Sequence, residues 1–165
     1  MIQIKTTKIS ETFQQAAVNA TLEMFRQVYG RELVYAGSAE KIVGGATQSL
    51  NAVINMIGEV AGTVVIQMST TYAQKLTALM LGSETTPSNE DVHDAMGELL
   101  NMIIGSAKNK VSPDPAYFQF SLPTIVSGSG YILYTKAKNK CERVTLCRFS
   151  DGSDSFYLEI YLVES

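Results

Sequence analysis

A carboxylate and a carboxamide, those of Glu98 and Asn101, stand three residues apart, with Asp94 four residues before the pair and Gly105 four residues after it. At about 100° per residue, a helix brings these four positions into one narrow stripe. A carboxylate can pair with a cation, and a carboxamide can donate to and accept from one water molecule. The spacing therefore predicts a surface on which both groups can act side by side.

Two explanations of this stripe compete. Every amphipathic helix has a polar face, so periodicity alone favours an ordinary solvated surface. Asn101 argues against that explanation, because an amide in a helix interior competes for backbone hydrogen bonds. Gly105 also argues against it, since a mid-helix glycine costs roughly 1 kcal/mol relative to alanine and lets another surface come close. We therefore predict a docking site, with Asp94 and Gly105 contributing to partner binding.

The helix that carries the stripe is predicted to run from Ser88 to about Lys110. Ser88 and Asp91 have the spacing of a capping box, and residues 112–115, which include two prolines, end the helix. The apolar residues fall on one broad face opposite the stripe, and that face should pack on a sheet. These residues are Val92, Met96, Leu99, Leu100, Ile103, Ile104 and Ala107.

The rest of the chain predicts two further helices and several strands. Helical spacing covers residues 10–29, with the serine at position 10 as the cap, and residues 71–81. Residues 47–68 predict a β-hairpin, and Asp151 begins a turn that joins the last two strands. Because helices are separated from runs of hairpin-connected strands, the fold class is α+β with a largely antiparallel sheet. Other strands are predicted at residues 33–38, 117–121, 131–136, 144–149 and 156–163.

The composition is typical of one folded domain, predicted to span residues 1–165, with 45% hydrophobic and 18% charged residues. A net charge of -3 disfavours nucleic acid as a partner, because phosphate binding needs a basic face. No apolar run approaches the roughly 20 residues of a membrane span, and the N-terminus lacks the apolar core of a signal peptide. The sequence therefore predicts a soluble, cytoplasmic protein that does not bind membranes.

Residues that commonly bind metal ions are few. Cys141 and Cys147 are the only cysteines, and His93 is the only histidine. They cannot supply the usual structural zinc set, so no metal site is predicted. We expect both cysteines to be reduced thiols rather than a disulfide or redox pair. His93 lies about 100° from its neighbour Asp94 around the helix and is expected to be an ordinary surface side chain.

Together with a proline further along, the stripe resembles the signature of the CheC/CheX/FliY phosphatases. That signature is Asp or Ser, three residues, Glu, two residues, Asn, and later a proline, which follows here after 21 residues. The flanking segments 95–99 and 101–110 also resemble this family, and the likeness extends over roughly residues 45–135. CheC has two such helices and CheX has one. Since the first helix here has no second Glu-Asn pair, the chain resembles CheX. The matching residues are Asp94, Glu98, Asn101 and Pro123.

The resemblance implies a CheC-like fold, with long helices packed on the antiparallel sheet, and a phosphatase that dephosphorylates a CheY-like response regulator in chemotaxis or related two-component signalling. It assigns to Asn101 the orientation of the attacking water and to Glu98 a pairing with a lysine of the receiver domain. The Mg²⁺ ion is then held by the response regulator, so the chain needs no cofactor of its own. A homodimer joined by β-strand pairing is also implied.

A second hypothesis is a non-catalytic module that binds a receiver domain in a signalling or flagellar-switch assembly. The intact pair of Glu98 and Asn101 favours the phosphatase. Two neighbouring positions have a less defined role. Asp94 could make a peripheral partner contact or only set the polar face of the helix, and Pro123 is expected to shape the segment after it.

Overall fold

The computed structural model describes residues 2–40, 49–58, 61–111, 118–128 and 142–163. These residues form three helices packed on one seven-stranded sheet, so the predicted α+β class is confirmed. The helices are α1 (Ile2–Tyr29), α2 (Thr70–Leu81) and α3 (Asn89–Val111). The strands are β1 (Val34–Glu40), β2 (Leu50–Gly58), β3 (Ala61–Met68), β4 (Phe118–Phe120), β5 (Thr124–Ser127), β6 (Glu142–Ser150) and β7 (Ser155–Val163).

The sheet is built from two hairpins that meet at its centre. Strand β2 pairs with β3 and strand β6 pairs with β7, as the alternating sequence patterns predict. The strand order is β1-β6-β7-β3-β2-β4, with β5 also paired to β2, and every described pairing is antiparallel. The pairing of β3 with β7 therefore joins the two hairpins into one sheet.

The core lies between the helices and one face of this sheet. Within this core, the ring of Phe156 of β7 stacks on Phe25 of α1 at 4.8 Å and on Phe149 of β6 at 5.2 Å between centroids. Near the middle of α1, Phe13 meets Phe118 of β4 edge-on. Rings of this size bury much apolar surface, so these contacts fix α1 on the sheet between Phe13 and Phe25.

Some features of the described structure differ from the sequence predictions, and some predictions fall outside it. Helix α1 begins at Ile2, so the prediction that Ser10 caps it is wrong. Lysine favours a helix, and serine and threonine disfavour it only mildly, so the helix continues through residues 2–10. Strand β5 was not predicted, because its four residues are too short to show alternation. The predicted helix end at 112–115 and the strand at 131–136 lie outside the described residues.

A buried aspartate organises the turn between β6 and β7. The Asp151 carboxylate is 1% exposed and accepts hydrogen bonds from the Ser153 and Asp154 amides at 3.0 and 2.9 Å. It also accepts from the Tyr72 hydroxyl of α2 at 3.0 Å, and Arg31 lies 3.5 Å away. Burial opposes the charge, yet these hydrogen bonds outweigh it and hold the pKa of Asp151 at about 2. The network ties the turn to α2.

The remaining sequence predictions concern thiols and membranes. Cys147 is buried and has no disulfide, and burial raises the pKa of its thiol. Cys141 lies outside the described residues. None of the helices in the described ranges is long and apolar enough to cross a membrane.

Candidate functional site

Helix α3 begins with the predicted capping box. The Asp91 amide donates to the Ser88 hydroxyl oxygen at 3.1 Å, and the Ser88 amide donates to the Asp91 carboxylate at 3.0 Å. These bonds satisfy backbone donors that a helix start otherwise leaves unpaired. The Ser88 hydrogen bonds also lower the pKa of Asp91. The capping box therefore sets where α3 starts, one turn before Asp94.

The two faces of α3 are separated as the sequence predicts. All seven apolar residues of its predicted inner face are buried, and they pack against α1, α2 and the β2 side of the sheet. On the opposite side, Asp94 and Glu98 are exposed, while Asn101 and Gly105 are half-buried. The structure thus brings all four predicted site residues together on one outward-facing stripe of the helix.

The stripe has few interactions with the rest of the molecule. In the described part of the chain, the side chains of Asp94, Glu98 and Asn101 make no hydrogen bond or ion pair. A side chain added at Gly105 would meet no atom within 4 Å. The carboxylate and the carboxamide are therefore both available to a group that approaches from outside.

Gly97 was not predicted as a site residue, but the segment between β4 and β5 packs on it directly beside the stripe. It is buried, and a Cβ atom at this position would lie 3.2 Å from Cγ of Pro123 and 3.8 Å from Cδ1 of Ile125. The absence of a side chain at Gly97 lets the segment between β4 and β5 pack directly on α3. A mid-helix glycine next to Glu98 was the available sequence signal, since such a glycine is costly without a packing reason.

Further along the same side of α3, Lys108 lies over two aromatic rings of β4. Its Nζ is 5.4 Å from the Phe118 centroid and 5.7 Å from the Phe120 centroid, within the range of a cation–π contact. Strand β4 and the residues that follow it therefore contact α3 at two places along the helix, Lys108 and Gly97. Asn101, which is half-buried, lies between these two contacts along α3.

His93 is placed away from the stripe. It lines a shallow depression together with Thr70 at the start of α2 and Ser127 and Gly128 after β5. No group of three or more His, Cys, Asp or Glu side chains that could hold a metal ion occurs among the described residues. The polar groups that the stripe itself offers are the Asp94 and Glu98 carboxylates and the Asn101 carboxamide.

A family model identifies the chain. The model of the chemotaxis phosphatase CheX matches residues 50–146, which is more than half of the sequence and includes the whole stripe and Pro123. The chain therefore belongs to the CheX family of chemotaxis phosphatases. No curated protein sequence matches it.

Solved structures share this fold over nearly their whole length. A CheC-like superfamily protein from Shewanella sp. PV-4 is 25% identical, with a TM-score of 0.78 over 92% of this chain and 97% of that one. CheX from Desulfovibrio desulfuricans is 24% identical, with a TM-score of 0.78 over 94% and 99%. CheX from Borrelia burgdorferi, solved as a complex with CheY, BeF3 and Mg²⁺, is 13% identical, with a TM-score of 0.63 over 93% and 98%. The CheC-like architecture predicted from the sequence is confirmed.

Proposed function

We propose that this protein hydrolyses the aspartyl phosphate of a CheY-like response regulator, in chemotaxis or a related two-component pathway. The observation that carries the proposal is the pair of Glu98 and Asn101, adjacent on the outward face of α3 and without side-chain partners in the described chain. Membership of the CheX family supports it. The Borrelia burgdorferi relative, which forms a complex with CheY, supports the choice of partner.

In the proposed reaction, the Asn101 carboxamide orients one water in line with phosphorus. Water attacks, the bond between phosphorus and the aspartyl oxygen breaks, and the products are inorganic phosphate and a free carboxylate. Asn101 is not basic, so the water's proton passes to the phosphate or to bulk solvent. Such a reaction depends mainly on positioning, because an acyl phosphate is already activated.

Glu98 has the complementary role of anchoring the partner. Its carboxylate pairs with a lysine beside the phosphorylated aspartate, and this contact aligns the two proteins. Charge pairs across an interface set register in this way. The Mg²⁺ ion that neutralises the phosphoryl oxygens belongs to the response regulator, so the proposal assigns no cofactor to this chain.

The assembly state and location form part of the proposal. Strand β1 lies at one edge of the described sheet, and residues 36–39 are exposed there. An exposed edge strand offers unpaired backbone groups to a second chain, which supports a homodimer joined by strand pairing. A cytoplasmic location, where phosphorylated response regulators would be met, remains a prediction.

The proposal is tested by following phosphate loss from the phosphorylated receivers of the protein's own source. The wild-type protein should shorten the lifetime of at least one receiver phosphate well below its spontaneous lifetime in Mg²⁺. A double variant, Glu98→Ala with Asn101→Ala, should leave that lifetime at the spontaneous value while retaining the wild-type melting temperature. A wild-type protein that binds a phosphorylated receiver without shortening its lifetime would show a non-catalytic binding module instead.

A further inference from the structure

Leu122 is the most exposed large hydrophobic residue in the described part of the chain, with 87% of its surface accessible. It lies between β4 and β5 and immediately precedes Pro123. A single exposed leucine is ordinary on a protein surface and carries no meaning alone. An exposed leucine can be assigned to a binding surface only if its backbone is fixed and a functional site lies next to it.

The backbone on both sides of Leu122 is fixed. Before it, the Ser121 amide donates to the Asn55 carbonyl at 2.9 Å, and the Asn55 amide donates to the Ser121 hydroxyl oxygen at 3.1 Å. That hydroxyl donates in turn to the Leu122 carbonyl at 2.9 Å. After it, Pro123 has a restricted φ and packs on Gly97. The segment thus presents Leu122 to solvent in a defined position.

The neighbouring contacts and the geometry of α3 indicate that this position is next to the Glu98–Asn101 pair. Helix α3 contacts the β4–β5 segment at Pro123 through Gly97, and at Phe118 and Phe120 through Lys108. Leu122 lies between Phe120 and Pro123 in sequence. We therefore infer that it is close to the part of α3 between Gly97 and Lys108. Asn101 occupies that stretch, one turn after Gly97 and about 40° further around the helix.

We propose that Leu122 is an apolar anchor for the receiver domain, covering the side of the Glu98–Asn101 pair that faces the sheet. This inference rests on the proposed function. The stripe itself is polar, whereas protein interfaces combine polar contacts with an apolar, water-excluding part. An apolar receiver side chain packed on Leu122 would exclude water next to Glu98, and its charge pair would be less screened.

The test compares two substitutions of Leu122 with one control substitution. Leu122→Ser removes the apolar side chain, and Leu122→Met preserves it. Leu81→Ser removes an exposed leucine, 57% accessible, at the last residue of α2. The end of α2 lines a depression together with Arg31, which lies 3.5 Å from Asp151 of the β6–β7 turn, so the control removes an exposed leucine on a different part of the surface.

Two quantities are measured for each variant. The first is the Kd for a receiver carrying beryllofluoride and Mg²⁺, a stable mimic of the phosphorylated form, and the second is kcat and KM with the phosphorylated receiver. Leu122→Ser should raise Kd and KM on the order of ten- to a hundredfold, as expected for a leucine buried on binding. Its kcat should stay close to wild type, because a contact made equally in the bound complex and in the transition state changes KM and not kcat. Leu122→Met and Leu81→Ser should match the wild type.

The outcomes separate the anchor from the proposed function. Wild-type protein that neither binds nor dephosphorylates any receiver overturns both. Active wild-type protein with an unchanged Kd and KM in Leu122→Ser overturns the anchor alone. The anchor is also overturned if Leu122→Ser lowers kcat at constant KM, lowers the melting temperature, or changes the oligomeric mass in sedimentation.

Discussion

Two carboxylates of this protein, those of Asp151 and Glu98, have opposite surroundings. Asp151 is buried at the β6–β7 turn and accepts hydrogen bonds from two backbone amides and the Tyr72 hydroxyl. Glu98 is exposed in the middle of α3 and makes no hydrogen bond or ion pair within the described residues. Asp151 thus connects parts of the same chain, whereas Glu98 has no such contact in the described residues and is proposed to contact a second protein.

Under the proposed function, this difference separates residues that stabilise the fold from residues that act on a partner. A buried carboxylate with all its hydrogen bonds made contributes to folding, and removing its charge or its partners is costly. A carboxylate and a carboxamide without internal partners contribute little to folding and keep their hydrogen-bonding capacity for a second molecule. Substitutions at the two regions should therefore change different measured quantities, and the following variants test that separation.

The largest expected effect is on turnover. Asn101→Ala should lower kcat on the order of 10²- to 10³-fold, by analogy with the loss of one preorganised transition-state donor. Its free energy of unfolding should change by less than about 0.5 kcal/mol, because the site lies on the outer face of α3. Asn19→Ala, which changes an exposed asparagine in α1, is the matched control and should keep full activity. Full activity in folded Asn101→Ala would exclude the proposed role of the carboxamide.

Glu98→Gln should weaken partner binding more than it slows the chemical step. The substitution keeps the shape of the side chain and removes the charge, so a desolvated pair with a receiver lysine is lost. We expect KM to rise on the order of tenfold or more, with stability unchanged. The measurement is kcat and KM at two salt concentrations. If KM stays at the wild-type value and only kcat falls, Glu98 acts in the chemistry and not as the anchor.

Asp151→Asn should change stability and not activity, unlike the substitutions of Asn101 and Glu98. The free energy of unfolding should fall, and the activity per folded molecule should stay at the wild-type value. The folded-state pKa of Asp151, about 2, is below its ordinary value of 3.8. Its ionised form therefore stabilises the fold above about pH 4, and that contribution, roughly 2 kcal/mol, is lost as the pH falls towards 2. Urea unfolding between pH 2 and 7 should show this drop in the wild type and a smaller one in the variant. An identical pH dependence in both proteins would contradict this assignment.

The smallest expected effect is that of Gly105→Ala, which tests whether the glycine lowers the stability of the helix in order to allow close docking. Gly105→Ala should raise the free energy of unfolding by about 0.5–1 kcal/mol, because alanine favours the helix and its methyl group meets no neighbouring atom. The same methyl group should weaken receiver binding severalfold if the partner approaches closely there. Melting curves and the Kd for the receiver give both quantities. A more stable variant with an unchanged Kd would show that the receiver does not contact α3 closely at Gly105.

Local signals were sufficient to predict α3 and the geometry of its stripe. The capping residues Ser88 and Asp91, the apolar periodicity and the spacing of Glu98 and Asn101 all lie within one helix. A helix repeats every 3.6 residues, so relative positions on its surface follow from the sequence alone. The roles of Glu98 and Asn101 are not tested by the geometry and stay predictions.

Features that depend on distant residues were not predictable in the same way. The pairing of Gly97 with Pro123 joins two elements, and nothing near Gly97 in the sequence indicates its neighbour. The contact between Tyr72 and Asp151 is of the same kind. Strand β5 was missed because its place in the sheet comes from pairing with β2 rather than from its own pattern. These features require the tertiary fold.

The central pairing of β3 with β7 has a consequence for synthesis of the chain on the ribosome. Residues 69–154 separate these two strands, although they are neighbours in the sheet. One edge of β3 therefore has no strand partner until β7 has emerged, and such an edge can pair with other chains. We expect nascent chains that stop before residue 155 to be digested rapidly by protease, and chains that include β7 to become resistant together across both hairpins. Equal resistance of the shorter chains would show that the first hairpin and the helices fold without β7.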